Sequence, residues 1–212
     1  MENLNERVWY ACYGSNLLQE RFLCYIQGDQ PAGARTSHIG CEDKTPPIDS
    51  EEMYISAELY FAKVSRFWSG GIAFIRTTFT PTASTYGRIY LITKGQLIDI
   101  ARQETNTSAS LEIEFEKAIK NGSYIFKQPS WYGNLLYLGE HNGFPIFMIT
   151  NEQDSQSSTK PSNAYLKTII DGLRESHWLD NLAIFDYLKT KHGIIENYSE
   201  EELRSIIGEK QD

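Results

Sequence analysis

Residue types that can bind an anion are concentrated in one short stretch, which follows an apolar run and reads Tyr13-Gly14-Ser15-Asn16-Leu17. Gly14 can adopt a positive φ without a Cβ clash. Ser15 or Asn16 can cap a following helix, with Gln19 as the capping-box partner of Asn16. The backbone N–H groups of such a turn, together with the positive end of the helix dipole, form a site for a carboxylate or another anion. An ordinary turn without a ligand is the alternative that this stretch alone leaves open.

A second position of chemical interest lies on a predicted helix, which begins at the capping-box pair Thr93 and Gln96 and runs to about residue 103. The apolar face of this helix consists of Leu97, Ile100 and Ala101. Helical spacing places Glu104 on the same stripe. Burial raises the pKa of a carboxylic acid towards the range in which it can both accept and donate a proton. Two interpretations stay open, a catalytic acid/base and a structural carboxylate that is ion-paired or turned to solvent.

Several strands and helices must position these two stretches. Strand patterns occur at residues 54–62, 71–78, 86–92, 132–138 and 144–150, and in the apolar run before Tyr13. Residues 110–121 fit both a strand and a helix that ends near Gly122, and we favour the helix. Further helices are predicted after Leu17, after Pro161, after Asp180 (with Leu182, Phe185 and Leu188 as its apolar residues) and after Ser199, which pairs with Glu202.

Two irregular segments adjoin the predicted strands. Residues 29–50 show no periodicity, and a loop of this length is often functional, so it can border a binding pocket; a surface excursion is the alternative. Gly70 and Gly71 follow Trp68 at the start of a strand. Paired glycines there indicate a bulge or the close approach of another backbone or a ligand.

The order of these elements predicts an α+β fold for the 212 residues. We expect a curved mixed β-sheet or small β-barrel of about six strands, flanked by helices. Residues 1–172 are predicted to form the main domain, and residues 173–212 a C-terminal helical extension packed on it.

Charge and cysteine usage argue against several functional classes. The net charge of −8 has the wrong sign for binding phosphate backbones, so no nucleic-acid partner is expected. No apolar run is long enough to span a bilayer, and residues 1–7 lack the pattern of a signal peptide, which predicts a cytoplasmic protein without membrane contact. The three cysteines have neither Cys-x-x-Cys spacing nor a nearby His, which predicts reduced thiols and no metal: Cys12, Cys24 and Cys41.

Several of these stretches, in this order, resemble the motifs of the γ-glutamylcyclotransferase-like superfamily. The matching segments are Tyr13-Gly14-Ser15-Asn16-Leu17, Trp68-Ser69-Gly70-Gly71-Ile72-Ala73, Tyr86-Gly87, Gln103-Glu104 and Pro161-Ser162-Asn163-Ala164-Tyr165. The similarity extends from Trp9 to Ile170. Thr105 departs from the glycine that is common after the Gln-Glu pair, which leaves the substrate open.

This resemblance implies an enzyme that acts without a cofactor on a small γ-glutamyl compound. The free α-amino group of that compound attacks its own side-chain carbonyl, which releases 5-oxoproline and an amine or amino acid. Glu104 is implied as the catalytic proton carrier. The implied substrate-binding residues are Tyr13, Gly14, Ser15, Asn16, Leu17 and Tyr165. Tyr13 and Tyr165 can alternatively be core residues.

The same residues bear on two alternative functions. A serine hydrolase based on Ser15 is disfavoured, because Tyr13 and Leu17 stand where a Gly-x-Ser-x-Gly motif needs glycines. A non-catalytic module of the same fold that binds a γ-glutamyl compound or an amino acid stays open. The sequence also leaves open whether the chain is a monomer or a homodimer.

Overall fold

The computed structural model describes residues 3–155 and 157–208, which contain eight strands and six α-helices. The strands are β1 Arg7–Cys12, β2 Asp49–Ile55, β3 Leu59–Ser65, β4 Gly70–Ile75, β5 Thr85–Thr93, β6 Ser123–Ile125, β7 Asn134–His141 and β8 Phe144–Thr150. The helices are α1 Gln19–Leu23, α2 Lys94–Glu104, α3 Phe115–Asn121, α4 Asn163–His177, α5 Asn181–Leu188 and α6 Glu200–Ile207. A 3₁₀ turn, Gly14–Leu17, precedes α1, and a π-helical turn, Cys24–Gly28, follows it.

Six strands form one mixed sheet in the order β2-β5-β1-β8-β7-β6. Strands β1 and β8 are parallel, and the other neighbours in this sheet are antiparallel. Strands β3 and β4 pair with each other as a separate two-stranded sheet. The predicted α+β fold with a mixed sheet is confirmed. The barrel form of that prediction is wrong for the described residues, because the sheet is open at β2 and β6.

Strand β1 is buried from Val8 to Cys12 because both faces of the sheet are covered there. Trp9 and Ala11 belong to the core that also contains β3, β4 and the C-terminal helices. Val8, Tyr10 and Cys12 belong to a second core, which α1, α2 and α3 cover. Successive side chains of a strand point to opposite faces, so the five buried residues serve both cores.

Three local predictions are wrong. The strand predicted at residues 54–62 is two strands, because the chain leaves the six-stranded sheet after Ile55 and enters the two-stranded sheet at Leu59. Neither Ser15 nor Asn16 caps a helix through its side chain, and the Gln19 side chain instead accepts a hydrogen bond from Arg88. On α5 one of the predicted core residues, Leu182, is 58% exposed.

The close backbone approach predicted at the paired glycines is confirmed. The Gly71 N–H donates to the Lys160 carbonyl at 2.8 Å, and a Cβ on Gly71 would overlap the carbonyl oxygen of Thr159. The segment before α4 therefore packs against the start of β4, and the Ser162 side chain then caps α4 by accepting a hydrogen bond from the Tyr165 N–H.

The C-terminal helices continue the same core. The domain boundary predicted between residues 172 and 173 falls inside α4. The described residues leave out 1, 2, 156 and 209–212, so the end of the predicted C-terminal extension and the first two residues of the N-terminal segment 1–7 lie outside them. Within the described residues, every helix is too short or too polar to cross a bilayer.

Candidate functional site

A cavity of about 980 Å³, called the Glu104 cavity below, is lined by most of the residues that the sequence singles out. Its wall includes Glu104 from the end of α2 and Tyr165 from α4. Tyr13, Ser15 and Asn16, from the turn formed by residues 13–17 (called the Gly14 turn below), also line it. Two stretches that are almost ninety residues apart in sequence therefore face one space.

The Gly14 turn has the backbone conformation that the sequence predicts. Gly14 has a φ of +72°, and a Cβ there would lie 2.9 Å from the Ala73 Cβ and 3.2 Å from the Tyr165 hydroxyl oxygen. Only glycine fits this position without strain. Ser15 and Asn16 are buried, and the Asn16 Oδ1 atom has no hydrogen-bond partner.

Gly14 and Leu17 are not on the cavity wall. The Leu17 side chain is 1% exposed and belongs to the core. Its carbonyl oxygen accepts a hydrogen bond from the Arg88 Nη1 atom at 3.0 Å, and Arg88 also pairs with Glu175 on α4. Leu17 thus anchors the turn, and a direct contact with a ligand is not available to it.

Glu104 is the last residue of α2, and its partly buried carboxylate faces the cavity. The Tyr25 hydroxyl donates a hydrogen bond to Glu104 Oε1 at 2.6 Å. Burial raises the pKa of the Glu104 carboxyl, while the Tyr25 hydrogen bond and the Arg21 charge lower it, and the net direction is upward. A carboxyl group with a raised pKa holds its proton more readily than a free glutamate does, which suits a group that must both accept and donate a proton.

The hydroxyls of the two candidate tyrosines are bonded to the protein. The Tyr13 hydroxyl donates to the Thr150 Oγ1 atom at 3.1 Å, and burial raises its pKa. The Tyr165 hydroxyl accepts a hydrogen bond from the Ala73 N–H at 3.2 Å. Both side chains therefore shape the wall, and Tyr165 keeps a proton that it can donate to a ligand.

Arg21 is the main site residue that sequence reasoning missed. It lies on α1, it is 4% exposed, and its Nε and Nη1 atoms have no hydrogen-bond partner. Its guanidinium carbon is 4.4 Å from the centre of the Tyr25 ring. The i, i+4 spacing of Arg21 and Tyr25 places both on one helix face, which is a signal that the sequence contains.

His38 is a second missed residue, and it comes from the predicted long loop. Its ring lies 4.0 Å from the Tyr25 ring and 5.1 Å from the Phe67 ring. Burial and the Arg21 charge lower the pKa of His38 to about 3, so the imidazole is neutral at physiological pH. The expectation that residues 29–50 border a pocket is confirmed, although no sequence signal marks His38 itself.

A second cavity, of about 1060 Å³, is lined by earlier residues of α2 and by residues 110–114 and 116. Its wall carries several carboxylates, which are Glu42, Asp43, Asp99, Glu112, Glu114 and Glu116. Within the described part of the chain, no group of three His, Cys, Asp or Glu side chains could hold a metal ion. The three cysteines are free and buried.

Comparisons with solved structures show which known proteins share this fold. No protein-family model matches the chain. A solved γ-glutamyl cyclotransferase is similar over 95% of this chain and 98% of its own, with a TM-score of 0.50 and 19% identity. A crystal structure of an uncharacterized human protein is similar over 96% and 99%, with a TM-score of 0.50 and 21% identity.

One curated relative is similar in sequence. Histone deacetylase 5 of Arabidopsis thaliana is 33% identical over an alignment of 185 residues, and this alignment covers 79% of this chain and 28% of that protein. The similarity thus spans little more than a quarter of that relative, and the relative's name refers to the whole of the longer protein.

Proposed function

Because this chain has the γ-glutamyl cyclotransferase fold, we propose that it is a γ-glutamyl cyclotransferase-type enzyme. The α-amino nitrogen of a γ-glutamyl compound forms a bond to the γ-carbonyl carbon, and the bond from that carbon to the leaving nitrogen breaks. The products are 5-oxoproline and an amine or amino acid, and the reaction consumes neither water nor a redox partner.

The observation that carries this proposal is the Glu104 carboxyl, which faces the cavity with a raised pKa. The substrate's α-ammonium group must lose a proton before its nitrogen can attack, and the leaving nitrogen must gain one. A single carboxylate with a raised pKa can perform both transfers in turn. A shared fold alone does not imply this chemistry, so the placement of Glu104 has to support it.

The rest of the cavity holds the substrate in a folded conformation. Nucleophile and electrophile belong to one molecule, so fixing its conformation supplies a large effective molarity. Backbone N–H groups of the Gly14 turn bind the anionic end of the substrate or stabilise the oxyanion that develops on the γ-carbonyl. The Tyr165 hydroxyl, which lies 3.2 Å from the Ala73 nitrogen and beside the Gly14 turn, donates to the substrate from the same side of the cavity.

A cytoplasmic setting, no cofactor and a small γ-glutamyl compound as the partner belong to the same proposal. The three free cysteines support a reducing compartment. The reaction moves the γ-acyl group from one nitrogen to another within the substrate, and the only other species it moves are protons, which Glu104 carries in this proposal. Nothing in this chemistry requires a second subunit, so a monomer and a homodimer are equally compatible with it.

The test is to incubate the purified chain with γ-glutamyl dipeptides, γ-glutamyl amines and glutathione, and to measure 5-oxoproline by mass spectrometry. We expect 5-oxoproline from at least one donor. The same donor with an acetylated α-amino group should give no product, since its nitrogen cannot attack. Free glutamate in place of 5-oxoproline would indicate a hydrolase, and tight binding without any product would indicate the non-catalytic module.

A further inference from the structure

Arg21 carries a positive charge that the fold buries and leaves without a matching anion. It is 4% exposed, and its Nε and Nη1 atoms lack a hydrogen-bond partner. Buried charges are unfavourable unless they are paired, and an unsatisfied polar group in the interior needs a physical reason. Since Arg21 also lines the Glu104 cavity, a ligand can supply the missing anion.

Aromatic rings hold the Arg21 guanidinium in place. The Tyr25 ring lies beneath it at 4.4 Å, and the rings of Phe67 and Trp68 are each 5.7 Å from its central carbon. These contacts stabilise the cation, and they leave its Nε and Nη1 donors without a hydrogen-bond partner. They also keep the group in a low-dielectric setting, where attraction to an anion is stronger than in water.

Glu104 is close to Arg21 without being its partner. The Arg21 charge lowers the pKa of the Glu104 carboxyl, whereas the hydrogen bond to that carboxyl comes from Tyr25. The guanidinium thus lies near the proposed proton carrier with its donors still available. A planar guanidinium matches the two oxygens of a carboxylate better than any other side chain does.

We propose that Arg21 binds the α-carboxylate of the γ-glutamyl group, and this assignment rests on the proposed function. The carboxylate then lies against Arg21, while the neighbouring α-amino group lies towards Glu104. The N–H groups of the Gly14 turn are left for the γ-carbonyl oxygen. The substrate class is therefore γ-glutamyl compounds with a free α-carboxylate, and their α-carboxamides are rejected.

The experiment pairs one change in the enzyme with one change in the substrate. We compare kcat/KM for a γ-glutamyl dipeptide and for the same dipeptide with an α-carboxamide on its glutamyl unit. Wild type should favour the carboxylate donor by at least about a hundredfold. Arg21→Met should lose about that factor on the carboxylate donor and change less than about threefold on the carboxamide. Arg21→Lys, which keeps the charge, should fall between the two.

Arg35→Met is the matched control, because Arg35 is an exposed arginine outside the cavity wall. It should leave both kcat/KM values unchanged. A wild-type preference that persists in Arg21→Met would overturn the assignment. So would an equal loss on both donors, which indicates a structural role for Arg21.

Binding of the product separates this inference from the proposed function. Calorimetry with 5-oxoproline and with its carboxamide does not depend on turnover. Carboxylate-selective binding that Arg21→Met abolishes supports the inference even if no donor reacts, in which case the proposed enzyme alone is wrong. If a donor reacts but Arg21→Met binds 5-oxoproline as wild type does, the inference alone is wrong. Arg21→Met should unfold at no lower temperature than wild type, since it removes an unpaired buried charge.

Discussion

The two large cavities have nearly equal volumes, about 980 Å³ and about 1060 Å³, and they differ in how their polar groups are bonded. In the Glu104 cavity, Asn16 and Arg21 are buried with unpartnered polar atoms. In the second cavity, Asp99 accepts hydrogen bonds from the Glu42 N–H at 2.9 Å and from Arg102 at 3.1 Å. The volume of a cavity and the acidic side chains in its wall therefore do not show which of the two cavities binds a ligand.

Unsatisfied buried groups do distinguish the two cavities. The Arg102 Nε atom is the second cavity's one buried, unpartnered side-chain atom among the described residues, and the same guanidinium already pairs with Asp99. The Glu104 cavity has two further buried atoms without a hydrogen-bond partner, His38 Nε2 and Gln103 Oε1. The two side chains are near each other, since Gln103 raises the pKa of His38 while burial lowers it. The Glu104 cavity is thus preorganised for polar contacts that the protein itself does not supply.

The largest expected effect comes from exchanging a carboxylate in each cavity. Glu104→Gln should lower kcat/KM by about 10²- to 10⁴-fold, because the amide cannot carry a proton. Glu112→Gln, which changes an exposed carboxylate of the second cavity, should change kcat/KM by less than about twofold. Equal losses in steady-state assays of the two variants would remove the functional difference between the cavities.

The same Glu104→Gln variant has a pH-dependent stability. The fold raises the pKa of Glu104, so the folded state favours the protonated carboxyl group. The resulting contribution to the free energy of unfolding is fully present below the unfolded-state pKa, and it is lost as the pH rises through the folded-state pKa. The variant should therefore gain thermal stability relative to wild type at pH 8 and show little difference near pH 4. Melting curves at the two pH values measure this, and a larger gain at pH 4 would contradict the upward shift of the Glu104 pKa.

An intermediate effect is expected at the Gly14 turn. Gly14→Ala combines a positive φ with a Cβ that meets Ala73, so it should lower kcat/KM by about tenfold to a hundredfold as the turn shifts. Gly122→Ala is the matched control, since Gly122 has a φ of +81° and nothing within 4 Å of an added Cβ. It should cost about 1–2 kcal/mol of stability and leave activity unchanged. Normal activity in Gly14→Ala would show that the turn does not touch the substrate.

The smallest effect concerns two tyrosine–glutamate pairs. Tyr25 donates to Glu104 at 2.6 Å, and Tyr124 donates to Glu114 at 3.2 Å. The Tyr25 hydrogen bond lowers the pKa of Glu104, so Tyr25→Phe should raise that pKa and move the acid limb of the kcat/KM profile to higher pH by about one unit. Tyr124→Phe should leave the profile in place. A shift of the acid limb to lower pH would mean that Glu104 is not the titrating base.

Local signals predict part of the fold well. The capping boxes at Thr93 and Ser199 are present, and the helices after them begin where the sequence indicates. Both signals depend on residues within one helical turn, so tertiary contacts have little influence on them. The capping role of Asn16 and Gln19 is different, because Gln19 accepts a hydrogen bond from Arg88, which is 69 residues away. A partner at that separation has no local signature.

The sequence by itself determined the α+β class, the glycine conformation at Gly14 and the placement of Glu104 on an apolar helix face, because each depends on periodicity or on a single backbone angle. Only the tertiary structure decided that Arg21 is buried and unpaired. That state depends on Phe67 and Trp68, which lie more than forty residues away in sequence and exclude water from the guanidinium. Desolvation is a property of the assembled cavity, and no spacing of residues along the chain encodes it.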